Sequence, residues 1–167
     1  MSARLYSYIG PTEFLDAALS ASPGFIVRTQ EDIVEWLAQQ CDEAEVDGTV
    51  VATFVIDRDG FLRVAPRRSE HIACAAGGPV LSAGEMTFSV AANVTEVSNQ
   101  STGFCPEPES WTHVEAALDR IPLTHPGGFT TSIVFRRCPN CGDRNILKHG
   151  WFVCELCDAE LPQRWNF

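Results

Sequence analysis

An α+β fold is what this sequence predicts: a mainly antiparallel sheet with about three helices and a C-terminal cysteine-rich ribbon. Three observations carry that reading. β-branched runs come in pairs joined by tight turns, as in hairpins. Segments of helical spacing interrupt them irregularly rather than alternating one for one, which disfavours a Rossmann-type sheet, and no glycine-rich phosphate loop is present. Two Cys-x2-Cys pairs then close the chain.

The elements follow in order. Residues 11–20 (PTEFLDAALS) suit a short helix, with Pro11 and Glu13 at its start and Phe14/Ala18 and Leu15/Leu19 on one face. Ser22-Pro23-Gly24 ends it, and 25–28 reads as a short strand. A second helix spans about 30–41, with Thr29 as N-cap and acidic residues in its first turn. Residues 42–47 (DEAEVD) form a solvated acidic loop. Residues 49–56 are nearly all apolar and β-branched, a central buried strand; 57–60 (DRDG) turn the chain back into 61–65.

Residues 80–90 and 94–98 form another strand pair. Val80, Met86, Phe88 and Val90 are expected on one face and Glu85 on the other. A third helix covers 107–120, with Pro108 in its first turn and Trp111, Val114 and Leu118 along one stripe. Residues 122–130 (PLTHPGGFT) are a Pro/Gly-rich connector, so the chain divides into an α+β domain at 1–130 and a ribbon at 131–167.

The ribbon is the strongest chemical signal. Cys138/Cys141 and Cys154/Cys157 are two Cys-x2-Cys turns separated by twelve residues. Such spacing lets both sulfurs of each turn face one ion, and four thiolates make a closed structural site rather than a catalytic one. Gly142 and Asp158 follow the two pairs, where a turn needs positive φ. The spacer is expected to fold as a hairpin, 146–148 against 151–153, around an exposed His149-Gly150 turn. These features resemble a zinc ribbon. A similar spacing occurs in the rubredoxin-like domains of rubrerythrins, which makes iron the competing metal; no Glu-x-x-His of a di-iron centre accompanies it here, so zinc is expected.

Composition bounds the partners. The 167 residues carry a formal charge of −10, with a pI near 4.7. That balance disfavours polyanions, so nucleic acid is not an expected partner. Arg136, Arg137, Lys148, Trp151, Phe152 and Trp165 could form only a local patch, and packing of the aromatics onto the main domain is the simpler expectation. No apolar run approaches the ~18 residues of a membrane span, and MSARLYSYIG lacks the apolar core of a secretory signal. With cysteines spaced for metal, a cytoplasmic location is expected.

A second region is rich in polar groups beside strands. His71, Glu85, Ser101 and Cys105 are the candidate catalytic residues, with 98–105 as pocket lining: His71 and Glu85 as an acid/base pair, Cys105 as a nucleophile if its pKa were lowered. The simpler reading makes them strand-edge turns around a buried His and an inert Cys, with Asn99 and Ser101 bonding the turns. Cys41 and Cys74 read as structural, and Trp111 as core.

The run His71…Gly77-Gly78…Ala83-Gly84-Glu85…Ser101-Thr102-Gly103-Phe104-Cys105-Pro106 resembles actinobacterial and cyanobacterial proteins that end in a similar four-cysteine ribbon. Over about residues 70–120 it is more distantly similar to a domain of plant IQ-motif calmodulin-binding proteins and bacterial toxin-associated proteins, with the pattern Gly-Gly…Ala-Gly-(Glu/Arg)…Ser-Gly-His-Tyr-x-Pro. This chain has Gly103 where that motif has its histidine, and it has no IQ segment. The resemblance implies a shared fold rather than a shared activity. The functional expectation is a zinc-binding interaction or regulatory module engaging a protein partner. A small enzyme lined by His71, Glu85 and 98–105 is the alternative, and a nucleic-acid-associated ribbon the third.

Overall fold

The computed structural model describes residues 3–167; of the expected 1–130 domain, residues 1 and 2 lie outside the described part. The apolar run at 50–57 forms β2 (Val50–Asp57), and it sits at the middle of a five-stranded antiparallel sheet. The Asp57–Gly60 turn returns the chain as β3 (Leu62–Pro66), with Phe54 opposite Val64. Asp57 fixes that turn: its Oδ1 accepts from Asp59 N and Phe61 N at 3.0 Å, and its Oδ2 holds Arg63 at 3.0 Å. β4 (Val80–Phe88) pairs with the other side of β2, β5 (Val94–Val97) extends it, and β1 (Phe25–Val27) edges β3. The order is β1-β3-β2-β4-β5.

Both faces of the sheet are covered. On one, Ala52, Phe54, Ile56, Met86 and Phe88 pack against α2 (Gln30–Ala38) and α4 (Trp111–Arg120), which contribute Ile33, Trp36, Val114 and Leu118. On the other, Val55, Ala65 and Ala83 lie under α1 (Thr12–Ala18), α3 (His71–Cys74), Tyr6 and Phe104. Alternation along each strand assigns the faces. α2 starts at a capping box: Thr29 Oγ1 accepts from Asp32 N at 3.2 Å, and the Asp32 carboxylate accepts from Thr29 N at 3.0 Å.

Several expectations need correction. Val80 does not share a face with Met86 and Phe88. A register shift at Ile56/Asp57 inserts one residue, and Val80 joins the second core. Val90 lies beyond β4 and is exposed. A single-turn helix, α3, occupies 71–74. The third expected helix begins as a 3-10 turn, Pro108–Ser110, before α4. The hairpin of the ribbon is β6 (Phe135–Arg137) with β7 (Arg144–Ile146), around the first cysteine pair, not 146–148 with 151–153. Residues 151–153 instead contribute an isolated bridge, Val153 to Glu160.

The connector does more than link. Thr130 N donates to Val97 O at 2.8 Å and Thr130 Oγ1 accepts from Val97 N at 2.9 Å, covering the outer edge of β5. Buried Asn99 fixes its far end, accepting from Ile133 N and donating to Ile133 O, both at 2.7 Å, and donating to Pro106 O at 2.9 Å.

Candidate metal centre and the central loops

Two short turns of the same design build the cysteine site. In the first, Cys138 N donates to Asp143 O (2.8 Å) and Gly142 N to Cys138 O (2.9 Å). In the second, Cys154 N donates to Ala159 O (2.8 Å) and Asp158 N to Cys154 O (3.0 Å). The fifth residue of each needs positive φ: Gly142 has +79° and Asp158 +58°. Each turn therefore points its two sulfurs the same way.

All four sulfurs, of Cys138, Cys141, Cys154 and Cys157, lie within 4.8 Å of one another. Sγ of Cys138 is 3.5 Å from that of Cys157, and Cys141 is 3.7 Å from Cys154. No disulfide joins them. Donors surround them. Buried Asn145 reaches Cys154 Sγ at 3.4 Å, Asn140 reaches Cys157 Sγ at 3.5 Å, and Cys141 N lies 3.5 Å from Cys138 Sγ. Burial raises the Cys154 thiol, but Asn145 and backbone N–H groups outweigh it and hold it near 6; Asn140 chiefly lowers Cys157. Against an N–H bond from Asp143, burial and the neighbouring sulfurs push Cys141 up to about 12. A protein that gathers four thiols, favours thiolate at two and hydrogen-bonds them is suited to a cation; the group can hold a metal ion such as zinc. His149 is exposed and is not part of the cluster.

The central residues are brought to one region but not to one cleft. His71 and Glu85 share the second face. His71 Nε2 sits 2.9 Å from Gly84 O, which assigns it as the protonated nitrogen, and burial lowers the imidazole pKa. The Glu85 carboxylate turns to Arg67 at 3.4 Å, and only its backbone engages the expected loop, accepting from Ser98 N at 2.9 Å. Ser101 Oγ is buried and has no hydrogen-bond partner among the described residues. Cys105 is fully buried with φ +47°, and burial pushes its thiol up to about 12. A thiol so protonated is a poor nucleophile. Cys74 is likewise buried and raised to about 12, while Cys41 is exposed, its Sγ 2.9 Å from Ala38 O.

What the sequence did not reveal is how the 98–107 loop receives the ribbon. Trp165 Nε1 donates to Cys105 O at 2.8 Å, and its ring meets Tyr6 edge-on at 5.5 Å. Buried Arg136 pairs with Glu107 at 2.7 Å and also donates to Pro162 O and Gln163 O. Arg144 donates to Thr102 O. Arg136 is thus consumed inside the molecule and cannot serve a nucleic-acid patch. Trp165 packs inward as expected, whereas Trp151 is 75% exposed. Trp111 is only partly buried, meeting Phe129 edge-on at 5.2 Å. No helix of the described residues is long and apolar enough to cross a membrane. No family model, curated protein or solved structure matches the chain.

Proposed function

We propose that residues 131–167 are a ribbon closed by one structural zinc on Cys138, Cys141, Cys154 and Cys157, set on an α+β domain of residues 1–130 in the cytoplasm. The protein acts as a non-enzymatic interaction or regulatory module for a protein partner. The four-sulfur cluster carries this reading. Two matched turns and amide donors make a closed thiolate site, which leaves no open position for substrate. Zinc is favoured over iron because the sequence has no Glu-x-x-His motif of the di-iron centre that accompanies the rubredoxin-like iron sites. The inward use of His71, the Glu85–Arg67 pair and the buried, protonated Cys105 support binding over catalysis.

The partner surface is the outer side of the ribbon. Trp151 (75% exposed) and Val153 (45%) line one hollow there with Lys148 and Glu155. An exposed Trp beside such a hollow is the kind of residue that anchors interfaces. Metal analysis of freshly purified protein should give one equivalent of zinc and little iron; a red, iron-rich preparation overturns the metal assignment. Trp151→Ser should abolish association with the cellular partner without moving the melting temperature. Retained association would place the interface elsewhere.

A further inference from the structure

A second site lies where the ribbon meets the main domain. The N-terminal segment (Arg4, Tyr6), the start of α4 (Ser110, His113) and the ribbon's tail (Arg164, Trp165) enclose a cleft of about 670 Å³. That is within the range of small-ligand sites, roughly 300–1,000 Å³. Its floor is built and rigid. Arg136, 4% exposed, is held by Glu107 and by Phe135, Pro162 and Gln163 carbonyls, so both charges of that pair are already satisfied.

Other donors in the cleft are not satisfied. Tyr6, 3% exposed, accepts from Glu107 N at 3.1 Å through its hydroxyl oxygen, and no acceptor for its own O–H is found among the described residues. Arg4 lies over the Trp165 ring at 4.9 Å and makes no ion pair among the described residues. Arg164 likewise makes no ion pair among the described residues. The His113 imidazole adds a fourth donor at the same wall. The Glu109 carboxylate, which makes no ion pair among the described residues, lines the same cleft. In a chain of charge −10, two free guanidinium groups and a buried phenol around one cleft are arranged against the overall field.

We propose that this cleft binds a small oxyanion-bearing metabolite, a carboxylate or a phosphate ester. Arg4 and Arg164 bind the anion by charge-assisted hydrogen bonds, and the Tyr6 O–H donates a third. Glu109, in the same lining, is placed to accept from a hydroxyl or ammonium where the ligand carries one. Because its walls come from both halves of the chain, the site exists only while the ribbon is docked.

Titration of the intact protein with inorganic phosphate and with succinate, followed by the Trp165 Nε1–H NMR signal, tests this. A saturable shift at millimolar concentration is expected with one or both, and the stronger response tells phosphate from carboxylate chemistry. Arg164→Gln, which breaks no hydrogen bond or ion pair among the described residues, should weaken binding about tenfold, the worth of one charge-assisted bond. Arg4→Gln should do the same, and Arg68→Gln, at the opposite end of β2 beside Val51, should change nothing. Linear shifts matched by sodium chloride at equal ionic strength overturn the proposal. Unchanged affinity in Arg164→Gln overturns it too.

Discussion

At the scale of single residues, the molecule uses its polar groups as internal fasteners. Gly84 shows how tight the fit is: a Cβ there would lie 1.8 Å from Ser98 O, so no other residue lets the 97–99 segment cross β4. His71 donates to the carbonyl of that same glycine. Its burial sets a pH dependence. The folded imidazole has a pKa below its ordinary value, while the unfolded one titrates near ~6.5. As pH falls below that value the unfolded chain takes up a proton that the folded chain refuses. Stability is therefore complete above the unfolded pKa and declines as pH drops through it. Denaturant midpoints between neutral and mildly acidic pH should fall by about one proton's worth of slope. His71→Gln retains an N–H for Gly84 O and should flatten that slope; an unaltered profile would assign the titration to another group.

At the scale of elements, legibility tracked how local the signal was. β2 and the helix opened by Thr29 were readable because β-branched runs and capping boxes are encoded within a few residues. The two turns at Cys138 and Cys154 were readable for the same reason, down to Gly142 and Asp158 at positive φ. α3 was not, since four residues show no period and Glu70 gives no side-chain cap. Val80 was misplaced because one extra residue at a bulge flips every side chain beyond it. The ribbon hairpin was misplaced because β6 lies before the cysteines, where sequence offers only Phe-Arg-Arg. Asn99 drew notice only as a turn residue, because its partner Ile133 is 34 positions away. The cap yields a quantitative expectation. Thr29→Ala should cost about 1 kcal/mol, lowering the melting temperature by about 2–4 °C in a chain of this size. Because Asp32 acts in the same box, Thr29→Ala with Asp32→Ala should cost less than the two separately. Full additivity would show the two bonds to be independent.

At the scale of the whole molecule, the question is how much of the fold depends on the ribbon. Its own core is small: Cys138, Cys154 and Leu161 are buried, with Leu147 and Phe152 against them. Four thiolates near one another repel unless a cation or protons hold them, so on the proposed zinc assignment ribbon folding is linked to metal. The first core of the sheet includes no residue beyond Phe129, and its helices and strands close without the ribbon. The second face is different, because Trp165 lies on Tyr6 and Cys105 O, and Arg136 neutralises Glu107. Chelation should therefore act unequally. Amides of 138–161 should lose hydrogen-exchange protection, while those of β2 and β4 keep it. Undocking hydrates both Arg136 and Glu107, so the main loss is the Trp165 packing on Tyr6 and its bond to Cys105 O, about 2 kcal/mol, and the melting temperature should drop by about 4–8 °C. Cys141→Ser should give the same pattern without chelator. Loss of protection in β2 would mean that ribbon and sheet unfold as one unit. Full protection of 138–161 after chelation would mean that the ribbon stands without its metal.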